Sequence, residues 1–175
     1  MSRDSLTFFL SPKTFHVAIP SADPKLLKSM FIKASSDVQQ SVIENMLLHF
    51  ASKDKYDAFR KLVETKIIEP KRFHNGETLL TNLLKVKNVK YCRAIIFLSP
   101  NKQCLNLANI LNQIPLQVAI ETDLYDLIYP LIVECDNLSN EDINGYTPLM
   151  QLFQKLSNST DVFIDYSILF NTLIC

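Results

Sequence analysis

Apolar residues recur along this chain at helical spacing, in clusters separated by similar lengths of more polar sequence. Leu26, Leu27, Met30 and Phe31 form one such face. Phe59, Leu62 and Val63 form a second, Tyr91, Ile95 and Ile96 a third, and Leu127, Ile128, Leu131 and Ile132 a fourth. Steps of three and four residues place each set on one side of an α-helix. Ahead of each lies another apolar run, opening at Lys13, Met46, Thr78 and Ile114, and a fifth run opens at Thr147. These openings are 33, 32, 36 and 33 residues apart in chain order. The pattern predicts an all-α chain of repeated helix pairs. A single pair cannot bury both of its apolar faces, so the units are expected to stack on one another.

The chain has two glycines, and both occupy the same local pattern: Asn75-Gly76-Glu77-Thr78-Leu79-Leu80 and Asn144-Gly145-Tyr146-Thr147-Pro148-Leu149. Glycine is the residue of choice where a turn needs positive φ. A threonine behind it can cap the first free amides of a helix, and proline is tolerated at the first helical position because its missing N–H would have no partner there. Each motif therefore predicts a turn and a helix start, with Thr78 and Thr147 as caps rather than nucleophiles. The 69 residues between those threonines are about two units of a ~33-residue period.

From Asp142 to Leu149 the chain reads D-x-x-G-x-T-P-L, and in this it resembles the ankyrin-repeat family, whose unit is a turn and two helices. Ile114-Pro115-Leu116-Gln117-Val118-Ala119 and Met46-Leu47-Leu48-His49-Phe50-Ala51 repeat parts of the motif, as do His16 and Ala18. The resemblance runs from about Lys13 to Cys175 and is strongest over 75–84 and 142–152. It implies one ankyrin-repeat solenoid over residues 1–175, with short fingers between units. Its approximate repeats are 11–43, 44–75, 76–111, 112–144 and 145–175, the first and last degenerate. Ala18, Ala51 and Ala119 fall where the inner helices of neighbouring units approach closely, and His16 and His49 fall where the family has a structural histidine near a helix start.

Several departures carry their own expectations. No glycine ends any second helix. Pro130 lies inside the fourth outer helix and predicts a kink there or the start of its last segment. The 36-residue interval predicts about three extra residues around 99–104. The stretch 35–44 contains no glycine, and no hairpin is expected there.

The family's usual role is noncatalytic protein binding through the fingers and the concave face of the first helices. The rest of the sequence is compatible with it. No Walker loop, H-E-x-x-H helix or nucleophile motif is present. Catalysis and bound cofactors or metals are therefore not expected. Four cysteines at 92, 104, 135 and 175 are too dispersed for a zinc pair or a disulfide framework and read as reduced thiols. No apolar run is long enough to cross a membrane, and Arg3 with Asp4 before the short apolar stretch 6–10 argues against a secretory signal. An intracellular protein, cytoplasmic or nuclear, is expected.

Eighteen basic and eighteen acidic residues give zero formal charge, but the distribution is uneven. Residues 52–93 hold eleven Lys and Arg against five Asp and Glu, whereas residues 102–175 hold two against nine. A stacked fold keeps such segments apart, which predicts a basic half and an acidic half. Lys71, Arg72 and His74 on one finger, with Lys85 at an inner-helix end, are candidate protein contacts on the basic side. Glu121 and Asp123 at the matching inner-helix end, with Ile143 and Tyr146 around Gly145, are candidates on the acidic side. Nucleic acid is not an expected partner, since the basic residues are poorly interleaved with aromatics.

Tyr166, Leu169, Phe170, Leu173 and Ile174 would give a terminal helix an apolar face. Leu169, Phe170 and Leu173 are the candidate assembly face, through which the chain would dock or form an oligomer. The expected function is an adaptor or regulator of a partner protein. The alternatives are a structural subunit of a larger assembly, or an ankyrin-only inhibitor of a transcription factor, viral or cellular, similar to the small inhibitors of NF-kappa-B.

Overall fold

The computed structural model describes residues 36–64, 75–99 and 102–158. Within them lie seven α-helices and no extended strand: α1 Ser36–Ser52, α2 Tyr56–Glu64, α3 Leu79–Lys85, α4 Val89–Leu98, α5 Pro115–Glu121, α6 Tyr125–Glu134 and α7 Pro148–Asn158. A short 3-10 turn, Gln103–Leu105, follows α4.

Three helix pairs, α1 with α2, α3 with α4 and α5 with α6, are joined by the same turn. In each, one residue takes left-handed backbone: Asp54 at φ 49°, Lys87 at 55° and Asp123 at 60°. The residue after it donates its N–H five positions back, Lys55 to Phe50 O at 2.8 Å, Asn88 to Leu83 O at 3.0 Å and Leu124 to Ala119 O at 3.0 Å. The left-handed residue itself bonds three positions back, to Ala51, Leu84 and Ile120. This is the Schellman closure of a helix C-terminus, which satisfies carbonyls that would otherwise have no partner. Glycine is its usual left-handed residue, and here the chain uses two aspartates and a lysine.

Contacts between pairs follow two rows. α1, α3, α5 and α7 succeed one another in one, and α2, α4 and α6 in the other. Every described residue of the four predicted outer-helix faces is buried: Phe59, Leu62 and Val63 on α2, Tyr91, Ile95 and Ile96 on α4, and Leu127, Ile128, Leu131 and Ile132 on α6. Leu26 and its neighbours lie outside the described residues. Phe59 meets the Tyr91 ring edge-on at 4.7 Å between centroids, so the outer row is locked across units by aromatic contact. Ala51 on α1 and Ala119 on α5 are buried.

Three helix starts stand where expected, that of α7 with Pro148 as its first residue and Thr147 Oγ1 accepting from Met150 N at 3.3 Å. Thr78 Oγ1 accepts from Thr81 N at 3.0 Å while Thr78 N donates to Thr81 Oγ1 at 2.8 Å. Pro115 is the first residue of α5, after Ile114 in extended backbone. Met46 is different. It lies well inside α1, which runs unbroken from Ser36 because nothing in 35–44 forces a turn. His49 accordingly falls in the last turn of its helix rather than near the start. The turn residues Asp54 and Lys87 also correct the count by one: they are 33 apart, so the equivalent of Thr78 is Asn45 and not Met46. Pro130 is spanned by α6 as one ten-residue helix. The extra residues lie after α4 as expected, in the stretch that holds Lys102, at φ 53°, and the 3-10 turn.

Glycine replacement separates strain from space. Alanine at Gly145 meets nothing within 4 Å, whereas at Gly76 its Cβ would stand 2.5 Å from Ile110 Cβ. Both positions carry positive φ, at 80° and 79°, and each substitution therefore costs about 1 kcal/mol in backbone strain. Gly76→Ala is expected to cost at least ~1 kcal/mol more than Gly145→Ala by urea denaturation, since overpacking adds to the strain. Lys87→Gly, by contrast, should stabilise by ~0.5–1 kcal/mol.

Candidate functional site

The fingers are built twice on one plan. Asn109 N donates to Gln113 O at 2.9 Å and Asp142 N to Tyr146 O at 3.0 Å. Inside each loop the first side chain turns back on the backbone. Asn109 Oδ1 accepts from Leu111 N and Gln113 N, and Asp142 Oδ1 from Asn144 N and Tyr146 N. The residue before the loop closes is left-handed in both, Asn112 at φ 55° and Gly145 at 80°. Asn112 thus stands where Gly76 and Gly145 stand in their own fingers. Asparagine tolerates that conformation better than other side chains.

Backbone bonds tie the fingers to one another. Ile110 N donates to Gly76 O at 2.7 Å and Ile143 N to Leu111 O at 2.9 Å. Asn112 and Asn140 exchange side-chain bonds with the backbone at Glu141 and Asn112, each at 2.6 Å. Beneath them Gln117 is fully buried and fully bonded: it donates to Tyr146 O and Asn140 O and accepts from Ile114 N and the Asn140 amide. The tips are held rigidly, yet Ile110 and Ile143 are 66% and 65% exposed.

Below the tips, a chain of side-chain hydrogen bonds runs from the basic to the acidic part. Lys85 Nζ bonds Glu77 at 2.5 Å; Asn109 Nδ2 donates to Glu77 at 3.2 Å and to Gln113 at 3.3 Å; Gln113 Nε2 donates to Glu121 Oε2 at 2.9 Å. Burial pushes the Glu77 carboxyl up, but the bonds from Lys85 and Asn109 outweigh it and hold the group below the usual glutamate range. At the other end Lys155 reaches back from α7 to Glu121 O at 2.6 Å and Asp123 Oδ1 at 2.5 Å. It caps the carbonyl end of α5 and holds the Asp123 carboxyl below its usual range.

A groove of about 330 Å³ opens between α5, the second finger and α7. Glu121, Asp142, Tyr146, Gln151 and Lys155 are among its walls. A second hollow of about 310 Å³ adjoins it, lined by Asp123, Tyr125, Lys155 and Asn158 among others. The structure therefore brings Glu121 and Tyr146 together on one groove, puts Asp123 in the hollow beside it and puts Ile143 on the finger tip. Lys85 is at a separate point, paired with Glu77. Lys71, Arg72 and His74 lie outside the described residues, as do Leu169, Phe170 and Leu173.

Sequence reading passed over Ile110 and Leu111, the exposed apolar pair of the first complete finger. The repeat spacing marks them: Ile110 is 33 residues before Ile143, and Asn112 is 36 after Gly76. It also passed over Lys155, whose role depends on the length of α7.

Among the described residues no group of three or more His, Cys, Asp or Glu is placed to hold a metal ion, and no helix is long and apolar enough to cross a membrane. Cys92, Cys104 and Cys135 are unpaired, and burial pushes the Cys92 thiol up to about 12, so it is protonated at neutral pH.

The depressed carboxyls set a pH dependence. A group whose pKa is lowered by folding stabilises fully above its unfolded value, about 4.3 for glutamate and 3.9 for aspartate, and loses that contribution as pH falls through the folded value. Urea midpoints are expected to drop between about pH 5 and pH 3, and Glu77→Gln should flatten the drop. A variant curve parallel to the native one would show that Glu77 is not its source. Comparison with protein-family models, with curated proteins and with solved structures gives no match to this chain.

Proposed function

We propose that this chain is an ankyrin-type repeat module that binds a partner protein as an intracellular adaptor or regulator and performs no reaction of its own. The observation that carries the reading is the row of exposed apolar tips, Ile110 and Ile143, set on fingers that hydrogen bond to each other. Apolar side chains on a rigid frame lose little entropy on contact, which is what a protein-binding surface needs. The D-x-x-G-x-T-P-L motif and the two rows of helices support the ankyrin assignment. Unpaired thiols at Cys92, Cys104 and Cys135 fit a reducing compartment in the cytoplasm or nucleus.

The test is affinity capture with cross-linking, the full chain beside an Ile110→Asp/Ile143→Asp variant whose helical circular dichroism is intact. The variant is expected to lose the partners that the native chain retains, by at least about tenfold if the tips are hot spots. Equal recovery by both chains would remove the finger tips from the binding surface.

A second reading, a structural subunit, draws on α7. Thr81, Gln117, Leu84 and Ile120 are fully buried in the inner row, but their α7 equivalents Met150 and Phe153 are 52% and 48% exposed. An assembly built through that face should dissociate, by light scattering, when Met150 and Phe153 become glutamate. A native chain that is monomeric at the highest soluble concentration, and in its captured complexes remains free of a second copy, counts against it.

A further inference from the structure

The groove beside the second finger carries more chemical detail than a generic contact surface. Its charged walls are Glu121, Asp142 and Lys155, with Asp123 in the adjoining hollow. Most of that charge is already used. Asp142 gives one oxygen to Asn144 N and Tyr146 N and the other to Gln151 Nε2. Lys155 is bonded to Asp123 and to the Glu121 carbonyl.

Glu121 differs. It is exposed, Gln113 bonds its Oε2, and its other oxygen has no hydrogen-bond partner among the described residues. A second group in the same walls is also incomplete. Gln151 Oε1 is buried and has no hydrogen-bond partner among the described residues. Its amide cannot be turned round to cure this, because Nε2 already donates to the Asp142 carboxylate. Gln151 Oε1 is closed off from solvent and so from an incoming segment, which leaves Glu121 as the open acceptor on the groove. Tyr146, 38% exposed, supplies an apolar surface on the same groove.

We infer that this groove takes a peptide segment of the partner that presents a lysine or arginine side chain beside an apolar residue. The inference rests on the protein-binding reading above and names the partner's chemistry at this one site. The cation pairs with the free oxygen of Glu121 and the apolar neighbour covers Tyr146. Three carboxylates against one internally paired ammonium oppose an acidic segment. A purely apolar one would desolvate Glu121 with nothing in return.

The probe is a displayed library of random dodecapeptides, selected on the full-length chain at low salt. Enriched peptides should carry Lys or Arg next to Leu, Ile, Phe or a similar residue. In fluorescence anisotropy, replacing that basic residue by Gln should weaken binding about fivefold or more, and Glu121→Gln in the protein should do the same. The two changes together should cost little more than either alone. Glu121→Gln keeps the side-chain shape and its contact with Gln113, and its thermal unfolding is measured alongside. Enrichment of acidic or uncharged peptides, an absence of any enrichment, or affinity unaffected by Glu121→Gln overturns the inference. Enriched peptides that bind independently of Glu121 would do so while leaving the protein-binding reading intact. That reading fails on a different result, the indifference of captured partners to Ile110→Asp/Ile143→Asp.

Discussion

Each of the three described helix pairs doubles back through one residue that leaves the right-handed region, Asp54, Lys87 or Asp123. Each non-glycine residue held there costs about 1–2 kcal/mol. The two aspartates regain part of that through the unit that follows. Asp54 accepts from Tyr91 Oη at 3.0 Å, and Asp123 accepts from Lys155 of α7. At Asp54 and Asp123, strain created inside one pair is thus offset by a side chain from the next. The finger loops at Gly76 and Asn112 are tied in a similar way, Ile110 N bonding Gly76 O and Ile143 N bonding Leu111 O. Stacking here is more than apolar burial. It also supplies hydrogen bonds to two of the three corners.

The helical class and the buried outer faces were legible because burial imposes a period of three and four residues, and Leu127, Ile128, Leu131 and Ile132 display it without interruption. The starts at Thr78 and Ile114 were legible because caps and first-turn prolines have local chemistry. The corner residues were not, since Lys87 gives no sign of positive φ, and aspartate, which tolerates it better than most residues, is as common in caps and other turns. Asn112 was hidden in the same way by not being glycine. The slip of one residue at Met46 has a related cause: without a capping side chain or a turn there, composition alone could not set the register, and the Schellman corner at Asp54 does so instead.

The candidate site was partly legible, and the division is physical. Exposed Tyr146 and Ile143 could be found because they flank a recognisable turn. Which charges are available could not be found, because that depends on partners as far off as the 32 residues between Asp123 and Lys155. Lys85, picked as a basic contact, spends its charge on Glu77, and Asp123 spends its own on Lys155. A count of acidic residues over 102–175 treats Glu121, Asp123 and Asp142 alike. Hydrogen bonding does not.

The end of the inner row shows the same distinction between a charge and its use. α3 and α5 stop at seven residues, but α7 continues to Asn158 and passes through Leu156, the equivalent of Lys87 and Asp123, in helical conformation. That extra turn puts Lys155 on a helix rather than in a corner, from which its ammonium reaches the carbonyl end of α5 and the strained Asp123 together. The consequence is chemical as well as structural. With Lys155 drawn to Asp123, Glu121 has no cation opposite it on the groove wall, and its second oxygen is left to whatever enters.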